Sequence, residues 1–387
     1  MTTQTPSLPL DGVTVVELGT MITAPYAGML LAELGAAVIK VENPDGGDPF
    51  RATSGGSYGP NFVAYNHGKR SISLDLKSDH GKEAFRGLLR RADVLVENYR
   101  TGVMDKLGFS VEAIRAVNRR VVHCSITGFG ATGPYRNRPA YDAVASALSG
   151  IYGLAVDPAD PRLVGVTISD NVTGIYAVNG IVAALFQRER TGEGRRIEVN
   201  MLECSIGFTP DAFAHLAQTN VAYGPTSRIA SSQCFAFTCA DGKPLAIHLS
   251  VQAKFWDSLL KLVDLPAIAA DPRFKQRSGR VANYHALRAA LAPVFATRAR
   301  DEWLAALEKH DVPSAPIHAI PDVMTDPQVV HLETFGTTTH PTEGAVMSIR
   351  SPIWIDGTRG DNVPPPTLGE HTREILAELG LADPSAP

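Results

Sequence analysis

Val13-Thr-Val-Val-Glu-Leu18 is a short apolar run; helical spacing follows from Tyr26 to Glu33, and a second run, Val38-Ile-Lys-Val-Glu42, comes next. Continuous apolar runs of this length, separated by a helix-period segment, are expected as buried strands joined by a crossover helix. The alternation continues. Ile72-Ser-Leu-Asp-Leu76 is predicted as a strand and Gly81 to Arg91 as a helix. Val94-Leu-Val-Glu97 and Val121-Val-His-Cys-Ser-Ile126 are predicted as strands, with a helix at Val111 to Val117 between them. Strands alternating with helices argue for a parallel sheet covered on both faces. The expected fold class is α/β, with a doubly wound, Rossmann-like large domain.

The character changes further along. Cys234-Phe-Ala-Phe-Thr-Cys-Ala-Asp-Gly-Lys-Pro-Leu-Ala-Ile-His-Leu249 reads as a hairpin turning at Asp241-Gly242. Helical segments follow at Ala253 to Val263, Tyr284 to Phe295 and Asp301 to Lys309. A separate, smaller α+β domain is expected at 223–326, with linkers near Tyr223-Gly-Pro225 and from Pro313 to Asp326. The large domain is then 1–222 together with 327–387, its tail carrying a helix at Thr372 to Leu379.

A chain of 387 residues is ample for a sizeable core, and 44% hydrophobic with 20% charged residues is ordinary for a globular protein. The net charge of −4 argues against a general nucleic-acid binder. Anionic ligands must be held by local cations. Four cysteines in so long a chain are no disulfide framework, and the eleven histidines include no close pair suited to zinc, so no metal site is expected. Residues 1–7 show neither a basic nor an apolar leader pattern, and no apolar run approaches the roughly 20 residues that cross a bilayer. No membrane association and a cytoplasmic location are expected.

Gly128-Phe-Gly-Ala-Thr-Gly133 matches a dinucleotide fingerprint after a strand. The fingerprint also needs a helix opening directly after it, so that a pyrophosphate meets its N-terminus. Pro134, Asn137 and Pro139 break that context. A second loop holds more chemistry. Gly165-Val-Thr-Ile-Ser-Asp170-Asn-Val-Thr-Gly174 runs into a long helical segment ending at Arg190, followed by Thr191-Gly-Glu-Gly194. Asp170 there reads as an N-cap on spacing alone. The alternative is a carboxylate nucleophile beside helix N–H groups able to steady an oxyanion.

Gly-x-x-x-x-Asp before a helix ending Ala-Leu-x-x-Arg, then Thr-Gly-x-Gly, resembles the class III CoA-transferases, and other ordered blocks agree. These are Leu10 to Glu17, Leu34 to Glu42, Gly47-Asp48, Asn66 to Lys77, Ala92 to Arg100, Ser125 to Tyr135 and Leu368 to Thr372. The resemblance spans essentially the whole chain. It implies that Asp170 attacks an acyl-CoA thioester, forming a mixed anhydride and then an aspartyl-CoA thioester that a second carboxylic acid resolves. It implies no permanently bound cofactor, CoA thioester and acid substrates, and a homodimer of interlocked chains.

CoA carries phosphates and an adenine, which call for cations, backbone donors and an apolar slot. Lys69, Arg70, Lys77, Arg100, Lys106, Arg136 and Arg138 are expected in loops after strands of the first domain. By resemblance, CoA contacts fall on Asn43, Leu74, Asp75, Leu76, Lys77, Asn98, Tyr99, Arg100, Lys106 and the segment before Tyr141, including Arg138. Asn43 stands where some members have arginine, and Ile22 where formyl-CoA transferase has glutamine. Ser227 to Gln233 lacks the glycine run that covers the site in some transferases. Backbone N–H groups near Gly133 and Gly174 are candidate oxyanion donors.

The α-methylacyl-CoA racemases resemble the chain as well. Their acid–base partner is a His in the segment aligned with Ala140-Tyr141-Asp142, where this chain has Tyr141. A phenol with an ordinary pKa of ~10 is poorly matched to proton shuttling at neutral pH. Transfer is therefore the reading preferred over racemisation.

Overall fold

The computed structural model describes residues 8–263, 265–361 and 363–383. The leader reading of residues 1–7 lies outside these. The described chain divides into two compact units: 1–152, 165–210 and 328–387 form the first, 153–164 and 211–327 the second.

The first unit is built on six parallel strands: β1 Thr14–Leu18, β2 Ala37–Glu42, β3 Lys69–Ser73, β4 Val94–Glu97, β5 Val122–Thr127 and β6 Arg196–Asn200. Their order is β3-β2-β1-β4-β5-β6, so the chain winds outward one way from β1 and then the other way from β4. The carboxyl ends of β1 and β4 therefore flank a topological switch point. The helices are α1 Thr23–Glu33, α2 Pro60–Tyr65, α3 Asp79–Arg91, α4 Val103–Lys106 and α5 Val111–Val117. They continue with α6 Asp142–Leu148, α7 Ile151–Ala155, α8 Ser169–Thr191 and α9 Met201–Phe208.

Both sheet faces are covered, as the continuous apolar strands require. On one, Val16, Leu18, Ile39 and Leu95 meet Phe85, Leu88, Ile114 and Ile375. On the other, Val15, Val38, Val94 and Val122 meet Ala27 and Leu31 of α1 and Ala177, Ile181 and Leu185 of α8. Helix α8 runs close against α1 because Gly174 has no side chain: a Cβ there would lie 2.9 Å from Tyr26 Cδ1 and 3.1 Å from the Thr23 carbonyl oxygen. Its buried Arg188 pairs with Asp93 at 2.9 Å, tying it to the amino end of the sheet.

Strand β3 begins at Lys69, three residues before the predicted start, because the Lys69 ammonium is buried against Glu17 at 2.8 Å. Strand β6, which the alternation did not include, forms one edge of the sheet. A further hairpin, β10 Phe335–His340 with β11 Gly344–Ile349, belongs to the same unit.

The second unit has its own antiparallel sheet: β7 Cys234–Thr238, β8 Pro244–His248 and β9 Ser314–Pro316. Its core joins Phe235, Phe237 and Leu245 to Trp256, Leu287, Phe295 and Trp303. The turn falls at Asp241-Gly242, as the sequence indicates, with Gly242 at φ +74°. No helix among the described residues is long and apolar enough to cross a membrane.

Candidate active site

A cavity of about 290 Å³ opens at the switch point. Loops after three strands build it: Thr20–Thr23 after β1, Asn98–Thr101 after β4 and Thr127–Phe129 after β5. Arg136, Arg138, Ala140, Tyr141, Asp170 and Met201 complete the wall. Of the predicted site residues, Asp170, Asn98, Tyr99, Arg100 and Arg138 meet here, joined by Arg136. Three guanidinium groups and one carboxylate thus share one hollow.

Asp170 is not an N-cap. Helix α8 starts at Ser169, its N-cap position is Ile168, and no side chain caps it. Asp170 is the second helical residue, which frees its carboxylate for the cavity. Its own N–H donates to Asp142 Oδ1 at 3.2 Å, in the first turn of α6. Burial, and then the Asp142 charge, push the Asp170 carboxyl up to about 7. Both causes disfavour the anion. Asp142 is a site residue missed in the sequence; its position beside Tyr141 was the only signal.

The glycine loop 128–133 has the backbone the sequence suggests, without a helix at its end. No helix opens until Asp142. A Cβ on Gly128 would sit 2.2 Å from Ala140 Cβ, so only glycine lets the two arms of the loop close. Arg138 stacks over the Tyr135 ring at 4.0 Å, which orders its guanidinium. Gly174 is the sixth residue of α8, and its N–H belongs to the helix ladder, so it is unsuited to donate to an oxyanion.

The other predicted contacts lie outside this cavity. Asn43 follows β2 and is exposed, its Oδ1 accepting from Asp45 N–H at 3.0 Å. Leu74 and Leu76 follow β3 with their side chains in the core, leaving only backbone to offer a ligand. Exposed Asp75 accepts from Lys77 N–H at 2.9 Å, and Lys77 is exposed beside it. All these positions share the carboxyl edge of the sheet. Lys106 is exposed at the end of α4, a short helix where a loop was expected.

Lys69 and Arg70 depart from expectation more sharply, since both lie within β3. Lys69 Nζ is bound to Glu17 and donates to the carbonyl oxygens of Pro25 and Tyr65 and to Asn66 Oδ1, at 2.7–2.9 Å. Burial, above all, pulls its ammonium down to about 8. Arg70 pairs with Glu374 and Glu378. Lys69 is structural here. Among the described residues no cluster of three His, Cys, Asp or Glu side chains could hold a metal, and the four cysteines are unpaired.

Residues 10–372 match the CoA-transferase family III sequence pattern. The chain is 35% identical to succinate–glutarate CoA-transferase of Agrobacterium fabrum, covering 98% of this chain and 97% of that protein. It is 33% identical to formyl-CoA:oxalate CoA-transferase of Streptomyces avermitilis, covering 97% and 96%. A crystal structure of a CAIB/BAIF family protein from Brucella suis superposes with a TM-score of 0.85 at 34% identity, covering 97% of this chain and all of that one. Full-length identity at this level, with the same α/β architecture, fixes the enzyme class: the chain belongs to CoA-transferase family III.

Proposed function

We propose that the enzyme moves CoA from an acyl-CoA donor to a free carboxylic acid through covalent intermediates on Asp170. The observation that carries this is the placement of Asp170. Its carboxylate lines the switch-point cavity, and burial and Asp142, not a cation, set its pKa. A carboxylate left without a strong ion pair keeps its lone pairs for attack.

A carboxylate oxygen of Asp170 adds to the thioester carbonyl, and the C–S bond breaks to release CoA thiolate, leaving a mixed anhydride. The thiolate attacks the aspartyl carbonyl, giving aspartyl-CoA and the donor acid as its carboxylate. The acceptor carboxylate then attacks aspartyl-CoA, the thiolate leaves again, and it attacks the acceptor's acyl carbon. Product acyl-CoA forms and Asp170 is regenerated. Every step exchanges one acyl carboxylate or thiolate for another, so no net oxidation and no external energy source are needed.

CoA's diphosphate belongs among Arg100, Arg136 and Arg138, where charge-assisted hydrogen bonds are available. The nucleotide would extend along the carboxyl edge toward Asn43 and Lys77, with Lys106 as a further cation. Tyr141, 59% exposed at the cavity, gives racemisation no imidazole partner for Asp170. A short dicarboxylate donor such as succinate accords with the named relatives.

A homodimer is part of the proposal. Ile175, Val182 and Phe186 expose an apolar stripe along α8, and Phe208 is exposed at the end of α9, the next helix. Single chains rarely leave so many large apolar groups in water. Light scattering after size exclusion tests this.

The chemical test is trapping. Incubation with acyl-CoA and hydroxylamine should inactivate the enzyme and convert Asp170 to its hydroxamate, detected by peptide mapping. Full turnover with no modification at Asp170 would overturn the covalent route.

A further inference from the structure

Met21 has φ +63°, the left-handed region, in the turn from β1 to α1. Long side chains rarely adopt it, and a bulky residue held there marks a backbone over-determined by its surroundings. The turn lines the same cavity as Asp170.

The turn is held from the β2 side by buried groups and from the β4 side by half-buried Asn98. From the β2 side, Asp48 accepts the Met21 N–H with both carboxylate oxygens, each at 3.2 Å. Asp48 is 1% exposed and also accepts from Phe50 N–H at 3.0 Å. Its charge is met by Lys40, whose Nζ lies 3.0 Å from it and 2.9 Å from Glu17. The same ammonium donates to the Gly19 carbonyl at 2.7 Å. Burial alone would lower the Lys40 ammonium, but Glu17, Asp48 and Glu42 raise it above its usual range. Lys40 thus stays charged and fixes Gly19 while Asp48 fixes Met21. From the β4 side, Asn98 Oδ1 accepts Thr20 N–H at 3.1 Å, and its amide donates to the Thr20 carbonyl and Thr23 Oγ1 at 2.8 and 2.9 Å.

Lys40 and Asn98 thus donate to Gly19, Thr20 and Thr23, while Asn98 and Asp48 accept from Thr20 and Met21 N–H. Fold stability asks for Asp48 as a charge, since Glu17 is shared by the buried Lys40 and Lys69, but it does not ask for the two bonds to Met21 N–H. A glycine at position 21 would accept the left-handed turn unaided. With methionine there, the turn depends on the clamp.

We infer that Asp48, neutralised by Lys40, is a positioning residue for CoA transfer: it holds Met21 in the left-handed turn and so fixes the β1–α1 wall of the cavity that Asp170 also lines. The inference rests on Asp170 being the group that reacts. Substrate need not touch Asp48. A turn that relaxes by about 1 Å displaces the wall against which the thioester is aligned, which is costly to the chemical step.

The experiment compares Asp48→Ala, Asp48→Asn and the double variant Asp48→Ala/Met21→Gly, with Asp170→Ala as control. Asp48→Ala is expected to lower kcat by about 10- to 100-fold and to change KM for acyl-CoA by less than about threefold. Asp48→Asn keeps an acceptor for Met21 N–H but loses the charge, and falls between it and the native enzyme. The double variant recovers at least about tenfold in kcat without recovering the melting temperature, because glycine removes the strain and not the lost ion pair. If Asp48→Ala does not fold, Asp48→Asn with and without Met21→Gly gives the same reading. Parallel loss of kcat and melting temperature with no recovery from Met21→Gly would overturn the inference, as would native kcat in both single variants. Full transfer by Asp170→Ala would instead overturn the reading of Asp170.

Discussion

Replacing Asp170 by asparagine should stabilise the protein, and only at neutral to alkaline pH. Burial and Asp142 raise this carboxyl from 3.8 to about 7. In the native state it therefore holds its proton more tightly than in the unfolded chain. Stability must fall as pH rises from about 4 to about 7, because the unfolded chain releases a proton there that the native state retains; above about 7 the penalty is constant. Each unit is worth 1.36 kcal/mol, so about three units set a ceiling near 4 kcal/mol. The carboxylate faces a cavity, and solvent screening reduces this to about 2–3 kcal/mol. A neutral isosteric amide escapes the penalty.

Differential scanning calorimetry of the two proteins at about pH 4.5 and about pH 8 reads this directly. The melting temperatures should nearly coincide in acid and separate by about 3–4 °C at the higher pH, with asparagine the more stable. An equal offset at both pH values would show that ionisation is not responsible. A variant less stable at pH 8 would refute the electrostatic reading of the site.

Asp142→Asn should lower the midpoint of the pH–rate profile for the acyl-transfer step by about one unit, since burial, the larger cause of the Asp170 shift, remains. Arg100→Ala or Arg138→Ala should weaken CoA binding by about 10- to 100-fold by calorimetry, and Lys77→Ala or Lys106→Ala by less, because neither lysine lines the cavity. Gly174→Ala should lower stability by about 1–3 kcal/mol in denaturant titration, since the new methyl meets Tyr26 and the Thr23 carbonyl of α1.

The parallel sheet was legible because its strands are continuous apolar runs; α3 starts at Asp79, two residues before the expected Gly81, because Ser78 caps it. Position 170 stood out through its motif, but it is not a cap: the helix begins at Ser169, two residues earlier than a cap at 170 requires, and no local pattern reports that. Lys69 was misread because a lysine at a strand start looks like a loop cation, and its partner Glu17 is 52 positions away. Asp142 and Asp48 escaped for the same reason. Each acts on a backbone N–H 28 or 27 residues distant, a contact that local patterns do not encode. Strand β6 was lost because Arg196-Ile-Glu-Val-Asn200 alternates polar and apolar at a sheet edge, with no continuous run.

The charges of the first unit are sorted in a way that accords with a nucleophilic Asp170. Lys40, Lys69 and Arg51 are each committed to a buried carboxylate: Glu17 and Asp48 for the first, Glu17 for the second, Glu42 for the third. The arginines at the cavity are exposed, available to an incoming polyanion. Asp170 faces a carboxylate, Asp142, instead of a cation. A lysine in place of Asp142 would hold Asp170 ionised but lower its basicity, and nucleophilic power falls with it. In the proposed mechanism this sorting serves both requirements: arginines for CoA's phosphates, and no ion pair on Asp170. An Asp142→Lys variant should therefore bind CoA at least as tightly and transfer it more slowly; faster transfer would show that Asp170 in the native enzyme is limited by its ionisation.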